Sequence, residues 1–350
     1  MLASWFDNRR MPKLTHHHVR AFLLEQLTKR TAVDVKSVMD RFDFTRQAAS
    51  HHLRKLVENR EIVERQFGRR KRYSIESTRA AKFEGKLARL EEDRVWLSHF
   101  APKLADLPAN VVNIWHYGFT KILNNAVEHS GGTAVRVEMS RNAAYSELSI
   151  HDDGEGIFRH IQRLLGLYDA REVLLELTKG KLTTDPKGHT GEGIFFSSKA
   201  FDVFEIHAGE HAFSHLTEED DYQFDSAEKT TGTRVVMRLR NSASTLLKEV
   251  FDAFAAPDEF SFDRTVVPVK LAKHEGESLV SRSQAKRLSM RFEKFSTVVL
   301  DFAGVSHVGQ AFADELFRVF ANEHPNTQLV PLHANADIQA MIHRALRHKT

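Results

Sequence analysis

Two short glycine-rich segments constrain the fold of this chain more than any other feature. Residues 152–156, DDGEG, directly follow an alternating apolar pattern that is typical of a strand at 145–151. Residues 188–193, GHTGEG, directly precede an apolar helical pattern. Glycine lets a backbone approach a flat ligand closely, and the N–H groups at a helix start suit phosphates. The two segments therefore predict an α+β domain whose loops surround a ligand.

Two further blocks belong to the same region. A helix predicted over 110–130 places Lys121, Asn125 and His129 on one side at a spacing of four residues. Its buried side consists of apolar residues: Trp115, Phe119, Ile122 and Ala126. An asparagine oxygen suits a hydrated Mg²⁺ that is held together with nucleotide phosphates. The fourth block, TGT at 231–233, ends a loop and begins a strand.

These four blocks, in this order and spacing, resemble the N, G1, G2 and G3 boxes of the Bergerat-fold ATPases. That family includes gyrase, sensor histidine kinases, MutL and the anti-sigma-factor serine kinases. The resemblance covers residues 106–240, and four ordered blocks are far more specific than a single glycine loop. It implies ATP and Mg²⁺ as ligands and an ATP lid at 166–187.

The resemblance also implies roles for single residues. Asp152 would accept a hydrogen bond from the adenine amino group, Gly154 and Gly156 would border the base, and Thr233 would lie beneath it. Asn125 would hold Mg²⁺. The phosphates would be wrapped by glycines of the third block: Gly188, Gly191 and Gly193.

One position departs from the family pattern. The hydrolysing members and the serine kinases carry a glutamate as general base one turn before the asparagine, where this chain has Lys121. A lysine beside phosphates is cationic and a poor base, so we expect Lys121 to neutralise phosphate charge instead. Glu128 or a water molecule is the alternative base. Weak ATP hydrolysis and no serine kinase activity are expected.

The amino-terminal region has a strong positive charge. Residues 1–75 contain 17 Lys and Arg against 8 Asp and Glu, whereas the whole chain has 50 against 47. Such a charge asymmetry indicates a domain that binds a polyanion. Helical patterns at 15–30, 33–42 and 45–57 precede a hairpin with a basic tip. Three helices and a hairpin are the pattern of a winged helix-turn-helix.

This region resembles winged-helix bacterial regulators, and the resemblance implies double-stranded DNA as a partner. The recognition helix would begin after a Thr45 N-cap and turn its apolar stripe inward: Ala49, Leu53, Leu56 and Val57. Its DNA-facing residues would be Arg46, Gln47, Ser50, His51 and Arg54. The wing would contact phosphate or the minor groove through Arg69, Arg70, Lys71 and Arg72. A winged helix that contacts protein is the alternative.

Residues 77–105 predict a charged connecting helix. Its apolar side would consist of four residues: Phe83, Leu87, Leu90 and Leu97. We expect a homodimer, because DNA sites with two-fold symmetry are bound by dimers with the same symmetry. The dimer surface would be either this stripe or the carboxyl-terminal domain.

The carboxyl-terminal region predicts a small α/β domain. Strand patterns at 264–272, 297–302 and 327–333 alternate with helix patterns at 281–294, 309–323 and 336–347. The stretch 299–316 resembles STAS-like domains, which implies a possible protein partner. In true anti-sigma-factor antagonists a phosphorylatable serine opens this helix, and here the aligned residue is Gln310. Ser281 is expected to be an N-cap.

The absence of cysteine excludes disulfides, cysteine-bound zinc, iron–sulfur clusters and thiol catalysis. No apolar run approaches the roughly 18 residues of a membrane span. We therefore expect a cytoplasmic protein that does not enter a membrane.

The predicted fold class is an α+β multidomain protein. Its parts are a winged helix-turn-helix at 1–76, a connecting helix at 77–105, a Bergerat-fold ATP-binding α/β sandwich at 106–245 and a STAS-like α/β domain at 258–350. The expected function is a transcriptional regulator in which nucleotide state gates DNA binding. The alternatives are an anti-sigma-type serine kinase or partner-switching protein, and an ATP-driven clamp in DNA metabolism or phage defence.

Overall fold

The computed structural model describes most of the chain. The described residues are 16–29, 32–68, 70–76, 78–182, 192–216, 222–256, 259–272 and 278–347. Tertiary contacts divide the chain into two compact units. The first unit consists of Met1–Ala80, Met139–Glu147 and Arg240–Ser242, and the second of the remaining residues. The chain is a mixed α/β protein of more than one domain, as predicted.

Three helices and a small antiparallel sheet build most of the first unit. The helices are α1 (His16–Lys29), α2 (Val35–Phe42) and α3 (Arg46–Glu58), and the strands are β1 (Val33–Asp34), β2 (Val63–Phe67) and β3 (Arg70–Ser74). The strands pair in the order β1-β3-β2. The core that they share consists of buried side chains from every element: Val19, Leu23, Leu27, Val33, Val38, Ala49, Leu53, Leu56, Ile62 and Tyr73.

Polar side chains fix where α2 and α3 begin. The Asp34 carboxylate accepts a hydrogen bond from the backbone N–H of Ser37 at 3.0 Å. The Thr45 hydroxyl accepts one from the N–H of Ala48 at 3.3 Å, as predicted. Each contact satisfies an N–H that has no partner within its helix. Three residues of the predicted inward stripe of α3 are buried, whereas Val57 is half-buried.

The prediction of one connecting helix over 77–105 is wrong in its first half. Residues Thr78–Lys86 form strand β4, and helical structure begins only with α4 (Glu92–Val95), a π-helical turn (Trp96–Phe100) and α5 (Ala101–Leu104). Half-buried and exposed residues alternate over 81–86, which is the period of a strand. The apolar stripe of Phe83, Leu87, Leu90 and Leu97 therefore does not form one helix face, and the prediction of a helical dimer surface on it is wrong.

A five-stranded sheet occupies the middle of the chain. Its strands are β4, β5 (Ala134–Arg141), β6 (Tyr145–Asp152), β7 (Val203–Leu216) and β8 (Tyr222–Arg240), in the order β4-β5-β6-β8-β7. The helices of this region are α6 (Ala109–His129), α7 (Ile157–Leu165), α8 (Ala170–Lys179), α9 (Gly193–Ala200) and α10 (Leu247–Asp252). The strands predicted near 133–139 and 145–151 are confirmed.

Glycine permits the close packing of α6. A Cβ atom added at Gly118 would lie 2.4 Å from the Phe201 ring and 3.2 Å from the Met237 sulfur. Both distances are shorter than carbon contacts in a packed core. The buried side of α6 is the one predicted, with Trp115, Phe119, Ile122 and Ala126 inside. This packing holds α6 in place beside the cavity described below.

Strands β7 and β8 are longer than the predicted segments 202–207 and 233–239. Their antiparallel pairing shifts register on both sides of Gly209, which has a φ of +62°. Such a shift is a β-bulge, and glycine adopts the required backbone freely. The bulge lets the pairing of β7 and β8 continue beyond Gly209, where the alternation of apolar and polar residues used for the prediction ends.

The carboxyl-terminal domain has the predicted alternation of strands and helices. Two short strands, β9 (Ala255–Ala256) and β10 (Glu259–Phe262), precede it. Its parallel strands are β11 (Arg264–Pro268), β12 (Thr297–Asp301) and β13 (Gln328–Leu332), in the order β11-β12-β13. Its helices are α11 (Arg282–Ser289), α12 (Gln310–Asp314), which continues through a π-helical segment (Glu315–Phe320) into α13 (Ala321–Glu323), and α14 (Ala336–Arg347).

Two predicted elements of this domain end early. The strand predicted to reach residue 272 ends at Pro268, and Val269–Ala272 form a 3₁₀ turn. The helix predicted over 281–294 ends at Ser289, because Arg291 has a left-handed backbone with a φ of +66°. Left-handed backbone terminates a right-handed helix and is uncommon for a non-glycine residue. Arg291 therefore turns away from the axis of α11.

Candidate functional site

A cavity of about 310 Å³ opens beside α6. The predicted side of this helix lines it, including Lys121, Asn125 and His129. The cavity lies within the second compact unit. Its volume is at the lower end of the range for small-molecule sites.

The turn after β6 contributes a buried carboxylate to the cavity. Asp152 is 6% exposed. Its Oδ1 atom accepts hydrogen bonds from the backbone N–H groups of Gly154 at 2.9 Å and Thr233 at 3.2 Å. Burial raises the pKa of Asp152 above its ordinary value, and these two N–H groups oppose that rise. Because both bonds go to Oδ1, Oδ2 is the oxygen that remains for a ligand donor.

The neighbouring Asp153 has a structural role. It is exposed and accepts hydrogen bonds from the backbone N–H groups of Ala134 and Thr133 and from the Thr133 hydroxyl. The N–H group of Ala134, followed by the contacts with Thr133, lowers the pKa of Asp153 to about 2. Asp153 therefore ties the turn to the start of β5, whereas Asp152 faces the cavity.

Glycines let the second predicted block, at 152–156, and the fourth, at 231–233, pack closely against each other. Gly156 has a φ of +89°, and Gly232 has a φ of +71°. A Cβ atom added at Gly232 would lie 2.0 Å from the carbonyl oxygen of Asp152. The Thr233 hydroxyl accepts the N–H of Ile157 at 2.9 Å. The two blocks therefore hold each other in place around Asp152.

The start of α9 forms another wall of the cavity. Glu192 and Gly193 line it, and so does Lys121. A Cβ atom added at Gly193 would lie 3.5 Å from the Lys121 Cβ, so the lysine stem runs beside the helix N-terminus. Free N–H groups and a nearby ammonium favour an anionic group at this end of the cavity.

The structure brings most of the predicted ligand residues together. Six of them line the cavity: Lys121, Asn125, Asp152, Gly156, Gly193 and Thr233. Gly154 is not among the lining residues, in contrast to its predicted place beside the base. A Cβ atom added there would lie 2.1 Å from the Ser130 carbonyl oxygen, so this glycine serves close packing against the end of α6. Gly188 and Gly191 lie outside the described residues.

Sequence patterns missed an ion-pair group on the cavity wall. His160 and Glu155 line the cavity. The His160 Nδ1 contacts a Glu155 carboxylate oxygen, which also accepts from Arg163 at 2.7 Å. Among the described residues, the buried Nε2 of His160 has no hydrogen-bond partner. In the sequence, Glu155 was only the residue between two glycines of the turn. His160 lies one turn into α7, outside the predicted blocks.

The donor set fits a magnesium nucleotide. The buried carboxylate of Asp152 and the start of α9 both contribute to the lining of one cavity. In the part of the chain that the structure describes, no group of three His, Cys, Asp or Glu side chains could hold a metal by itself. Asn125 would thus be a single protein ligand, and nucleotide phosphates would supply the rest of the coordination, as is common for Mg²⁺.

The alternative general base is not in the cavity lining. Glu128 is exposed, lies on α6 beyond Asn125 and is 3.7 Å from His129 Nε2. Among the described residues, the carboxylates that line the cavity are Asp152, Glu155 and Glu192. The position of Lys121 one turn before Asn125 on the cavity side is as predicted.

A second candidate surface lies in the first unit. The predicted DNA-facing residues of α3 are exposed, except for Ser50, which is half-buried: Arg46, Gln47, Ser50, His51 and Arg54. They share the side of α3 opposite to the buried stripe. This side therefore presents two arginines and short polar groups to solvent.

The β2–β3 hairpin carries the remaining predicted basic residues. Arg70, Lys71 and Arg72 are exposed on β3, and Arg69 lies outside the described residues. The Lys71 ammonium pairs with Glu64 at 2.7 Å. The Arg72 guanidinium lies 4.8 Å from the centre of the Phe67 ring, which is 62% exposed. The hairpin tip therefore combines cationic and aromatic groups.

The carboxyl-terminal domain shows the predicted roles of two polar residues. The Ser281 hydroxyl accepts the N–H of Gln284 at 3.2 Å, while the Gln284 side chain accepts the Ser281 N–H at 3.0 Å. This reciprocal pair is a capping box, which confirms Ser281 as an N-cap. Gln310 is exposed and is the first residue of α12.

Comparison with known proteins supports the assignment of this domain. A family model described as "STAS-like domain of unknown function (DUF4325)" matches residues 284–339. The match covers β12, β13 and the helices around them. No curated protein matches the chain. No helix within the described residues has both the length and the apolar character needed to cross a membrane.

Proposed function

We propose that this chain is a DNA-binding regulator that binds ATP with Mg²⁺ and changes its DNA affinity with nucleotide state. In this proposal residues 106–245 form a Bergerat-fold ATP-binding domain, and residues 1–76 form a winged helix-turn-helix. The STAS-like domain at 258–350 offers a surface for a protein partner. The active form is a homodimer on double-stranded DNA.

One observation carries the nucleotide part of the proposal. Residues from four blocks that are far apart in sequence line one cavity around the buried Asp152. An ionised carboxylate is an acceptor only, so it suits the donor amino group of adenine. Guanine presents an acceptor oxygen at the equivalent ring position, which would repel the carboxylate. Bound Mg²⁺ would neutralise phosphate charge beside Asn125.

Titration calorimetry of the full chain tests this part. We expect one ATP per chain, with weaker binding when EDTA removes Mg²⁺. GTP should bind at least about 100-fold more weakly, because a site built for a hydrogen-bond donor rejects an acceptor strongly. Absence of ATP binding at millimolar concentration, or equal affinity for GTP, would contradict an adenine site.

The DNA part of the proposal rests on the exposed side of α3 and the basic hairpin. Arginine and short polar side chains at the start of a helix suit base edges in the major groove. Cationic groups on the hairpin suit the phosphate backbone. Both surfaces belong to one compact unit with its own core.

Nucleotide state is expected to change DNA affinity. A ligand shifts a conformational equilibrium only if it binds one conformation better, and typical coupling corresponds to about a 5- to 150-fold change. The probe is a duplex selected from a random-sequence pool, with affinity measured without nucleotide, with ADP and with a non-hydrolysable ATP analogue. Equal affinities in all three states, for a protein that binds ATP, would refute nucleotide gating.

Hydrolysis by the wild-type chain is expected to be slow, since Lys121 occupies the position of the general base. Lys121→Glu should raise turnover, and Lys121→Gln, which removes the charge without adding a base, is the matched control. Phosphate release under saturating ATP is the measurement. Wild-type turnover at roughly 1–10 per second, typical of ordinary enzymes, would contradict this expectation.

A further inference from the structure

Helix α8 lies between the proposed nucleotide site and the STAS-like domain. Residues 173–180 are buried without interruption, and a helix buried on all sides has packing partners all round. Leu177 and Gly180 line the nucleotide cavity. The same helix packs against β11 and the turn that follows it. All of these residues belong to the second compact unit.

A buried group of charged side chains connects α8 with the STAS-like domain. Lys179 and Glu176 are 0% and 1% exposed, and Arg291 is 8% exposed. Glu176 accepts hydrogen bonds from Lys179 and, at 2.8 Å, from Arg291. Lys179 also donates to the Met290 carbonyl oxygen at 2.9 Å. Burial lowers the pKa of Lys179 to about 8, against the opposing effect of Glu176.

The guanidinium of Arg291 links α8 to the cavity wall at Gly180. One nitrogen donates to Glu176, and the other donates to the carbonyl oxygen of Gly180 at 2.8 Å. A planar guanidinium can make such a bridge, whereas an ammonium acts as a point charge. Arg291 reaches this position from a left-handed backbone, a costly conformation that clusters at functional sites.

Aromatic packing confines the same glycine. Gly180 has a φ of +78°, and a Cβ atom added there would lie 2.7 Å from the Phe262 ring and 3.1 Å from Phe195. Phe195 lines the cavity, and its ring centre is 4.7 Å from that of Phe262. Movement of Gly180 therefore requires movement on both the nucleotide side and the carboxyl-terminal side.

We propose that Arg291 of the STAS-like domain is a positioning residue for the nucleotide site, and that this domain sets ATP affinity by holding α8 and Gly180 in place. The inference rests on the proposed nucleotide site and names a regulator of it within the same chain. A protein that engages the STAS-like domain and displaces Arg291 would thereby change ATP affinity. By linkage, bound ATP must stabilise the contacts of Arg291 to the same extent.

Variants of Arg291 test the inference. Arg291→Ala should weaken binding of a non-hydrolysable ATP analogue by about 10-fold or more, and Arg291→Lys should bind with intermediate affinity because it keeps the charge but loses the bridge. Arg282→Ala is the matched control, since Arg282 is a largely exposed arginine of α11 that pairs with Asp314 and Glu315. Unchanged affinity in folded Arg291→Ala would overturn the inference.

Hydrogen exchange of the wild-type chain provides a measurement that does not depend on how the variants fold. Addition of the ATP analogue should slow amide exchange at 176–182 and also at 290–295. Protection of α6, the 152–157 turn and α9 without protection at 290–295 would overturn the inference while leaving the nucleotide site intact. A wild-type chain that binds no nucleotide would overturn both proposals.

Discussion

Asp152→Asn is expected to abolish ATP binding in the concentration range where the wild-type chain saturates. The amide has nearly the same shape as the carboxylate, and its oxygen can still accept from Gly154 and Thr233 as Oδ1 does. Its NH₂ group then occupies the place of Oδ2. A donor facing the donor amino group of adenine loses a charged hydrogen bond and leaves a buried polar group unpaired. This corresponds to an affinity loss on the order of 100-fold or more.

The fold should tolerate this substitution. Burial raises the pKa of Asp152, which means that the folded state disfavours the charged carboxylate relative to a neutral group. A neutral asparagine therefore removes a desolvation cost while it keeps the turn. Asp93→Asn is the matched control, because Asp93 is exposed and its carboxylate pairs with the exposed His116. Titration calorimetry and thermal unfolding separate loss of binding from loss of folding, and full ATP affinity in Asp152→Asn would refute the adenine role.

Replacement of Arg70, Lys71 and Arg72 together by alanine is expected to weaken binding to every duplex and to flatten its salt dependence. Each lost phosphate contact reduces the log–log salt slope by about 0.9, so three contacts reduce it by up to about 2.7. At 0.1 M salt, one decade below 1 M, this corresponds to a loss on the order of a few hundred-fold. The measurement is affinity as a function of salt for several unrelated duplexes.

Single substitutions in the hairpin should differ. Lys71 already pairs with Glu64, so Lys71→Ala should have the smallest effect, and Arg70→Ala should have a larger one. Lys248→Ala is the control, since Lys248 is an exposed lysine of α10 paired with Asp252. Gln47→Ala on α3 should instead change which sequence is preferred. An unchanged salt slope in the triple variant would refute hairpin contact with phosphate.

Sequence patterns correctly predicted the features that depend on interactions between residues close together in the sequence. The Thr45 and Ser281 caps, the buried side of α6 and the turn at 152–156 each depend on residues a few positions apart. The cavity residues were identified because four such local features share one order along the chain. Their common location, however, came from a family resemblance and not from periodicity.

Features set by distant partners were missed. Residues 78–86 form a strand because they join β5, about 50 residues further along the chain, and their charged composition favoured a helix. The sequence predicted that the helix at 281–294 includes Arg291. The contacts of Arg291 with Glu176 and Gly180 could not be predicted, because these acceptors lie more than 100 residues away. The role of Gly154 depends on the Ser130 carbonyl, which no spacing rule reveals.

The burial of α8 limits how this protein can be recombined with others. Thr265 donates to the Lys179 carbonyl oxygen of α8 at 2.8 Å, and Arg291 donates to Glu176 of the same helix. Phe262 packs against Phe195 of α9. A chain that ended before residue 258 would leave Lys179 and Glu176 without these partners. A foreign STAS-like domain could replace the native one only if it supplied the same contacts. We therefore expect the carboxyl-terminal domain to be exchangeable only together with α8.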